Sequence, residues 1–249
     1  MAGHSKWANI KHRKARQDAV RGKAWSKCAR AIIVAAKAGG PDLSMNLTLR
    51  YAVDEAKSVN MPKDTIEKAI KKGAGIAGEG ESYEEVRYEG YGASGVAIIV
   101  DCLTDNVNRT APELRKIFER NGGNLAKPGA VAFGFEAKGQ LLIDASKTEE
   151  DVLMELALEA GADDVEMNDG IWEVTCEPSQ FLNLKEALDS HGLVFESAAV
   201  TMIPATTVNC DQSAAERVLR LVDALEDHDD VQKVYSNAEF PDDMLTEAD

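Results

Sequence analysis

Basic side chains near the start of the chain are the residues best suited to bind a ligand, and phosphate is the ligand that suits them. The first 37 residues contain ten Lys or Arg and one acid, Asp18, whereas the 249-residue chain has a formal net charge of −15. Residues 1–75 hold 16 basic and 6 acidic side chains, and residues 76–249 hold 12 and 37. A positive field on one part of an acidic protein attracts polyanions. The sequence therefore predicts a contact with nucleic acid; a merely solvated charged segment is the alternative.

The predicted site has two parts. The first 15 residues show no amphipathic period, so we expect a flexible or loosely anchored arm. From about Arg16, steps of 100° per residue place cations along one side of a helix and apolar residues such as Trp25 and Ile32 on the opposite side. The predicted nucleic-acid-binding residues are Lys6, Trp7, Lys11, His12, Arg13, Lys14, Arg16, Lys23, Lys27, Arg30 and Lys37.

Two polar runs, 104–110 and 124–129, suggest a possible second contact surface in the acidic part of the chain. Asn and Asp at such places commonly form turns and helix caps, and this structural alternative stays open. The residues of the possible second surface are Asn106, Asn108, Arg109 and Lys127.

Patterns typical of enzymes are weak. Gly90–Gly95 matches the spacing G-x-G-x-x-G, but a predicted strand rather than a helix follows it, so a tight turn is favoured over dinucleotide binding. We predict no catalytic residue, no cofactor, no metal site and no enzymatic activity. The histidines and cysteines lack the spacing of metal ligands or of a disulfide frame; they are His4, His12, His191, His228, Cys28, Cys102, Cys176 and Cys210.

The elements that must position these residues follow from hydrophobic periodicity and from helix-ending signals. Residues 1–75 read as a basic arm and three helices, from about Arg16 to Lys37, Leu47 to Val59 and Pro62 to Gly73. The later predicted helices are Ala111–Asn121, capped by Thr110, and Glu149–Ala160, Gln180–His191 and Ala214–Glu226. The predicted strands are Glu84–Glu89, Val96–Leu103, Ala130–Phe135, Gln140–Ile143, Asp164–Met167, Ile171–Cys176, Phe195–Met202, Thr206–Asn209 and Val231–Tyr235.

This order of elements predicts three domains. A glycine-rich linker, 73–80, separates the basic helical domain 1–75 from the acidic remainder. The strand–strand–helix at 83–123 needs the strand–helix–strand at 206–236 to complete a ferredoxin-like sheet, which gives a middle domain of 76–129 plus 206–249 with 130–205 inserted. The predicted fold class is therefore α+β and multi-domain: a small N-terminal helical domain followed by two α/β ferredoxin-like domains, the last inserted in the middle one.

Two further features bear on location. The longest apolar stretch, near Val96–Val100, is too short to span a membrane, and the N-terminus lacks the apolar core of a secretory signal. Together with the unpaired cysteines this predicts a cytoplasmic protein with no membrane partner. The oligomeric state stays open.

Several sequence blocks, in order, resemble the YebC/PmpR family. The resemblance begins with Gly-His-Ser-Lys-Trp-Ala-Asn-Ile-Lys-His-Arg-Lys at 3–14 and extends to about residue 236. The other blocks are Lys37–Gly40, Asn60–Pro62, Ile70–Gly73, Tyr88–Gly92, Asp105–Thr110, Gly122–Leu125 and Met202–Pro204. Because the first block starts at residue 3, the chain resembles a bacterial cytoplasmic relative of the mitochondrial translational activator of cytochrome c oxidase.

The resemblance implies a three-domain protein that regulates gene expression without being an enzyme. It leaves two targets open: DNA, as a probable transcriptional regulator, or the ribosome, as a translation factor that contacts rRNA or tRNA and relieves stalling on proline-rich peptides. No predicted helix places Asn, Gln and Arg at base-reading spacing, so phosphate contact is favoured over sequence readout. A protein-interaction module, whose acidic domains bind a basic partner, is the other functional class that stays open.

Overall fold

The described part of the chain begins with three helices that share one core. A computed structural model describes residues 21–75, 83–168 and 170–241. The helices are α1 (Arg21–Gly39), α2 (Leu47–Ser58) and α3 (Lys63–Gly73). Their buried faces form a hydrophobic cluster that includes Ile32, Leu49 and Ile66. The apolar stripe predicted on α1 is this buried face, because Cys28, Ile32, Ala35 and Ala36 belong to the cluster.

Asn46 fixes the junction between α1 and α2. Its side-chain oxygen accepts the backbone N–H of Leu49 at 3.0 Å and so caps α2. Its amide nitrogen donates to the carbonyl oxygens of Ala35 and Gly40, each at 2.8 Å. This buried side chain therefore satisfies donors and acceptors at both helix ends.

An antiparallel sheet assembled from two distant parts of the chain follows the helices. It contains β1 (Glu84–Tyr91), β2 (Ala97–Thr104) and the short β3 (Asn124–Leu125), together with β9 (Val231–Ser236), in the order β3-β1-β2-β9. The helices α4 (Val107–Arg120) and α7 (Gln212–Glu226) pack beside one another. Gly90 in β1 permits close approach, since an added Cβ would lie 2.5 Å from the ring of Phe118.

Residues 134–207, which lie between β3 and β9 in the sequence, form a separate compact unit. Its elements are β4 (Phe135–Asp144), α5 (Glu150–Glu159), β5 (Asp164–Asn168), β6 (Ile171–Cys176), α6 (Phe181–Ser190) and β7 (Ser197–Pro204). The antiparallel strand order is β5-β6-β4-β7. This strand–helix–strand–strand–helix–strand succession is that of the ferredoxin-like fold.

The predicted fold class is confirmed, with helices first and two mixed α/β parts after them. The other compact unit joins the described residues up to Phe133 with Val208–Pro241, so the helices and the split sheet belong to one unit. The boundaries predicted for three domains stay a prediction. None of the described helices combines the length and the apolar character needed to cross a membrane.

Three local predictions were wrong. The strand predicted at 130–135 is a loop with a 3-10 turn, because its amides bind a buried carboxylate instead of a neighbouring strand. The helix predicted from Ala111 begins at Val107, since Asn106 rather than Thr110 caps it. The residues Val208–Asn209 (β8) pair with β10 (Ala238–Glu239), so only β9 from this region joins the split sheet.

Candidate nucleic-acid interface

The predicted binding residues fall into two groups. Lys6, Trp7, Lys11, His12, Arg13, Lys14 and Arg16 lie outside the described residues. The others lie on α1, where Lys37 is exposed in the last turn and Lys23, Lys27 and Arg30 lie along one side.

Lys23, Lys27 and Arg30 contact the end of α7 and the residues that follow it. The Lys27 ammonium donates to the Glu226 carbonyl oxygen at 2.7 Å, and the Lys23 ammonium donates to that of Asp227 at 3.2 Å. The Arg30 guanidinium donates to the Asp229 carbonyl oxygen, and its Nη1 lies 3.6 Å from the Asp230 carboxylate.

The chemistry of residues 226–230, here called the acidic segment, explains this contact. A helix ends with unpaired carbonyl groups and a partial negative charge. The last turn of α7 contains no basic residue, and four of the five residues of the acidic segment are acids. The cations of α1 supply the neutralising charge that α7 lacks. Burial lowers the pKa of Lys27, while the Glu226 carboxylate opposes the shift by raising it.

Three of the four α1 cations that are predicted to bind nucleic acid thus contact the same chain in this structure. Lys27 and Arg30 are half-buried against the acidic segment, and Lys23 is exposed but hydrogen-bonded to it. The partner of these cations is a negative helix end about 200 residues away in the sequence, so the pattern of α1 alone does not reveal it. Helical periodicity predicts correctly that these cations share one side of α1, but it does not predict that residues 226–230 lie against that side.

Two residues of the possible second surface, Asn106 and Arg109, have structural roles. Asn106 caps α4 by accepting the backbone N–H of Arg109 at 3.1 Å. The Arg109 guanidinium bridges Asp105 and Asp230, each at 2.8 Å. The turn-and-cap interpretation of this run therefore describes Asn106, and Arg109 is held by carboxylates. Asn108 is exposed in the first turn of α4, and Lys127 is exposed in its loop.

Asp230 is the centre of a buried polar cluster that sequence analysis missed. It is only 4% exposed, and its Oδ2 accepts the hydroxyls of Thr110 at 2.8 Å and Thr104 at 3.1 Å as well as the Arg109 guanidinium. Burial alone would raise the pKa of this carboxyl, but the hydrogen bonds from Arg109 and the two threonines outweigh it and lower the pKa. One carboxylate thus ties β2, α4 and the acidic segment together.

Glu89 is a second buried carboxylate that the sequence did not reveal. Its oxygens accept the backbone N–H groups of Gly129 at 2.6 Å, Val131 at 2.7 Å and Ala132 at 2.8 Å. Burial acts to raise the pKa of Glu89, yet the three amide hydrogen bonds lower it. Its own carbonyl oxygen accepts the N–H of Ala126 at 2.8 Å.

These bonds fix the loop 126–132 in one shape. A turn in which Ala130 N–H donates to the Lys127 carbonyl oxygen presents Lys127, Pro128 and Gly129 to solvent. Tyr91 also donates its hydroxyl to the Ala130 carbonyl oxygen at 3.1 Å. A rigid, exposed turn with one cation can contribute to a phosphate-binding surface but carries no chemistry by itself. β1 contains three glutamates, and its sequence alone does not show that Glu89 is the buried one.

Further exposed cations lie on the helices α2 and α3. They are Arg50, Lys57, Lys63, Lys68 and Lys71. Such side chains suit phosphate contacts, which position a nucleic acid without reading its sequence.

The described residues contain no group of three His, Cys, Asp or Glu side chains placed to hold a metal ion. The G-x-G-x-x-G residues form the turn between β1 and β2, as predicted, with Gly92 N–H donating to the Val96 carbonyl oxygen at 2.8 Å. All four cysteines are buried and unpaired, and burial raises the pKa of the Cys28 and Cys102 thiols to about 12.

Comparison with known proteins covers nearly the whole chain. The family model of the TACO1/YebC N-terminal domain matches residues 5–76, and that of the TACO1/YebC second and third domain matches residues 83–238. A "probable transcriptional regulatory protein" from Rhodopirellula baltica is 54% identical over 248 residues, covering 99% of this chain and 100% of its own. One of the same description from Halothermothrix orenii is 50% identical over 250 residues, covering 99% and 98%.

A solved structure supports the same relationship. The crystal structure of a conserved hypothetical protein from Aquifex aeolicus superposes with a TM-score of 0.79 at 45% sequence identity, covering 91% of this chain and 93% of that one. The matched segments include the helices, the split sheet and the inserted unit. The chain belongs to the TACO1/YebC family.

Proposed function

We propose that the protein is a cytoplasmic, non-enzymatic regulator of gene expression that binds nucleic acid through the cations of its first 75 residues. The observation that carries the proposal is the separation of charge, with 16 basic and 6 acidic residues in 1–75 against 12 and 37 in the rest. The names of the relatives, probable transcriptional regulatory proteins, support DNA as the target.

The binding surface is proposed to combine the arm with exposed cations of the helices. The arm cations Lys6, Lys11, Arg13 and Lys14 supply the densest positive charge in the chain. Exposed Arg50 on α2 and the lysines of α3 extend the positive surface. Phosphate contacts of this kind give affinity that falls steeply with salt and depends little on sequence.

A ribosome-associated translation factor is the second candidate. It is favoured by the roles of the asparagines in the described helical region. Asn46 is a buried cap, and Asn60 lies in the turn between α2 and α3, so neither presents its amide from a helix face that could enter a groove. Phosphate-based binding of this type serves structured RNA as well as DNA.

Binding of the full chain to labelled duplex DNA and to structured RNA, measured by fluorescence anisotropy from about 50 to 200 mM salt, tests the proposal. Polyglutamate serves as a control polyanion without phosphate. We expect binding to nucleic acid with a steep salt dependence; no binding at the lowest salt would refute the proposal. Sedimentation of lysate separates the two candidates, because a translation factor should travel with ribosomal subunits and a transcription factor should not.

A further inference from the structure

We infer that the acidic segment, residues 226–230, is an intramolecular competitor for the nucleic-acid-binding cations of α1. Nucleic acid must displace it to reach Lys23, Lys27 and Arg30. The inference rests on the proposed function and concerns the regulation of the same site.

The acidic segment presents the features by which a nucleic-acid backbone attracts cations. Glu226, Asp227, Asp229 and Asp230 concentrate negative charge at the negative end of the α7 dipole. Backbone carbonyl oxygens at its surface accept the three cationic side chains. Lys23, Lys27 and Arg30 lie along one side of α1, an arrangement in which several cations can contact successive phosphates of one nucleic-acid strand.

Two ion pairs between the helices and the rest of this unit are exposed to water. The Lys23 and Asp227 side chains are 49% and 58% exposed at a separation of 3.9 Å. The Lys233 ammonium of β9 lies 3.1 Å from the Glu55 carboxylate of α2. Exposed pairs of this kind contribute little stability and are screened by salt.

The apolar core of the helices does not depend on this contact. The hydrophobic cluster of α1, α2 and α3 is built from residues between Cys28 and Ala69, with Trp25 and Ile70 packed against it. The helices can therefore move away from the acidic segment without exposing their own core. When the helices separate from the acidic segment, Lys23, Lys27 and Arg30 lose their contacts with it, and the phosphates of a bound nucleic acid take the place of these contacts.

Release of Arg30 would not leave a buried charge without a partner. The Arg30 guanidinium is the more distant cation, at 3.6 Å from the Asp230 carboxylate, whereas the Arg109 guanidinium lies at 2.8 Å. After Arg30 leaves, Asp230 still accepts hydrogen bonds from Arg109 and from the Thr104 and Thr110 hydroxyls. Arg30 also stacks on the Tyr83 ring at 5.7 Å. Asp230 thus keeps its charge compensated without α1, and the carbonyl oxygens at the end of α7 can exchange the cations of α1 for water.

The first test removes charge from the acidic segment. Asp227→Asn with Asp229→Asn weakens the competitor but leaves the binding cations intact. If each exposed charge contributes a typical surface-pair energy, the affinity of the full chain for duplex DNA should rise about two- to fivefold at low salt. The matched control is Glu186→Gln with Asp189→Asn, which removes the same charge from exposed positions of α6. An equal change in both double variants would overturn the inference.

The second test observes the displacement directly. Spin labels on Thr48→Cys in α2 and Glu119→Cys in α4, both exposed positions, report the distance between the helices and the split sheet. The four native cysteines are buried, so the new thiols are labelled selectively. Saturating duplex DNA should lengthen or broaden the distance distribution measured by double electron–electron resonance.

The outcomes separate the inference from the proposed function. DNA that binds, by anisotropy on the same sample, while the distance distribution stays unchanged would overturn the competitor and leave the proposed function standing. DNA that does not bind to the unlabelled chain at any salt concentration would overturn the proposed function and the inference together.

Discussion

Replacement of Asp230 by Ala tests the buried cluster that joins β2, α4 and the acidic segment. The variant removes a carboxylate that accepts three hydrogen bonds, from Arg109 and from the hydroxyls of Thr104 and Thr110. The Arg109 guanidinium is half-exposed and keeps its ion pair with Asp105, so the loss of Asp230 as its partner costs little free energy. The cost falls on the two fully buried threonines, which lose a charged acceptor worth about 1.5–3 kcal/mol per hydrogen bond. Their remaining partners offset part of this cost, because the two hydroxyls lie 2.7 Å apart and Thr110 can donate to the Asn106 carbonyl oxygen at 3.1 Å.

We therefore expect Asp230→Ala to lower the opening free energy of this region by about 2–4 kcal/mol. Because the chain has more than one compact unit, native-state hydrogen exchange is the suitable assay, as it reads β2 and α4 separately from residues 134–207. The control is Asp229→Ala at the exposed neighbouring position, with an expected change below about 0.5 kcal/mol. Equal protection in the two variants would refute the role assigned to Asp230.

Three other substitutions or conditions test the remaining structural claims. Glu89→Gln should leave at least one amide of the loop 126–132 without its acceptor and speed its hydrogen exchange about tenfold or more, while exposed Glu85→Gln should not. In the folded protein the pKa values of Glu89 and Asp230 lie below their ordinary values of 4.5 and 3.8. The two carboxylates therefore stabilise the fold at a pH above these ordinary values, and the stabilisation is lost as the pH falls through the lowered pKa values. Because Glu89→Gln removes one of these groups, the stability of this variant should fall less steeply with decreasing pH than that of the wild type. Gly73→Ala should destabilise the helices by about 1–3 kcal/mol in urea unfolding, because its Cβ would collide with the α1 backbone, whereas Gly134→Ala, with open space, should not.

Local patterns predicted most of the helices and strands. The apolar stripe of α1, the end of that helix near Gly39 and the hairpin turn after Gly90 follow from periodicity and backbone geometry within a few residues. Each of these features depends on residues that are close together in the sequence, so one sequence is enough to predict it.

Features that depend on distant partners were not predicted. Glu89 reads as one more acid in a charged strand, and only the loop 129–132 explains its burial. Asp230 reads as an exposed turn residue, although it is the partner of Arg109, 121 positions away. The same distance problem explains Lys27, whose partner Glu226 lies on a helix at the other end of the chain.

The central claim is that the basic first part of the chain binds nucleic acid by phosphate contact. The most direct measurement is the salt dependence of duplex-DNA affinity for the full chain and for a variant with Lys6, Lys11, Arg13 and Lys14 replaced by Gln. Each lost phosphate contact should reduce the slope of log affinity against log salt by about 0.9, so four should reduce it by about 3 to 4. Equal slopes and affinities for the two proteins would contradict the account.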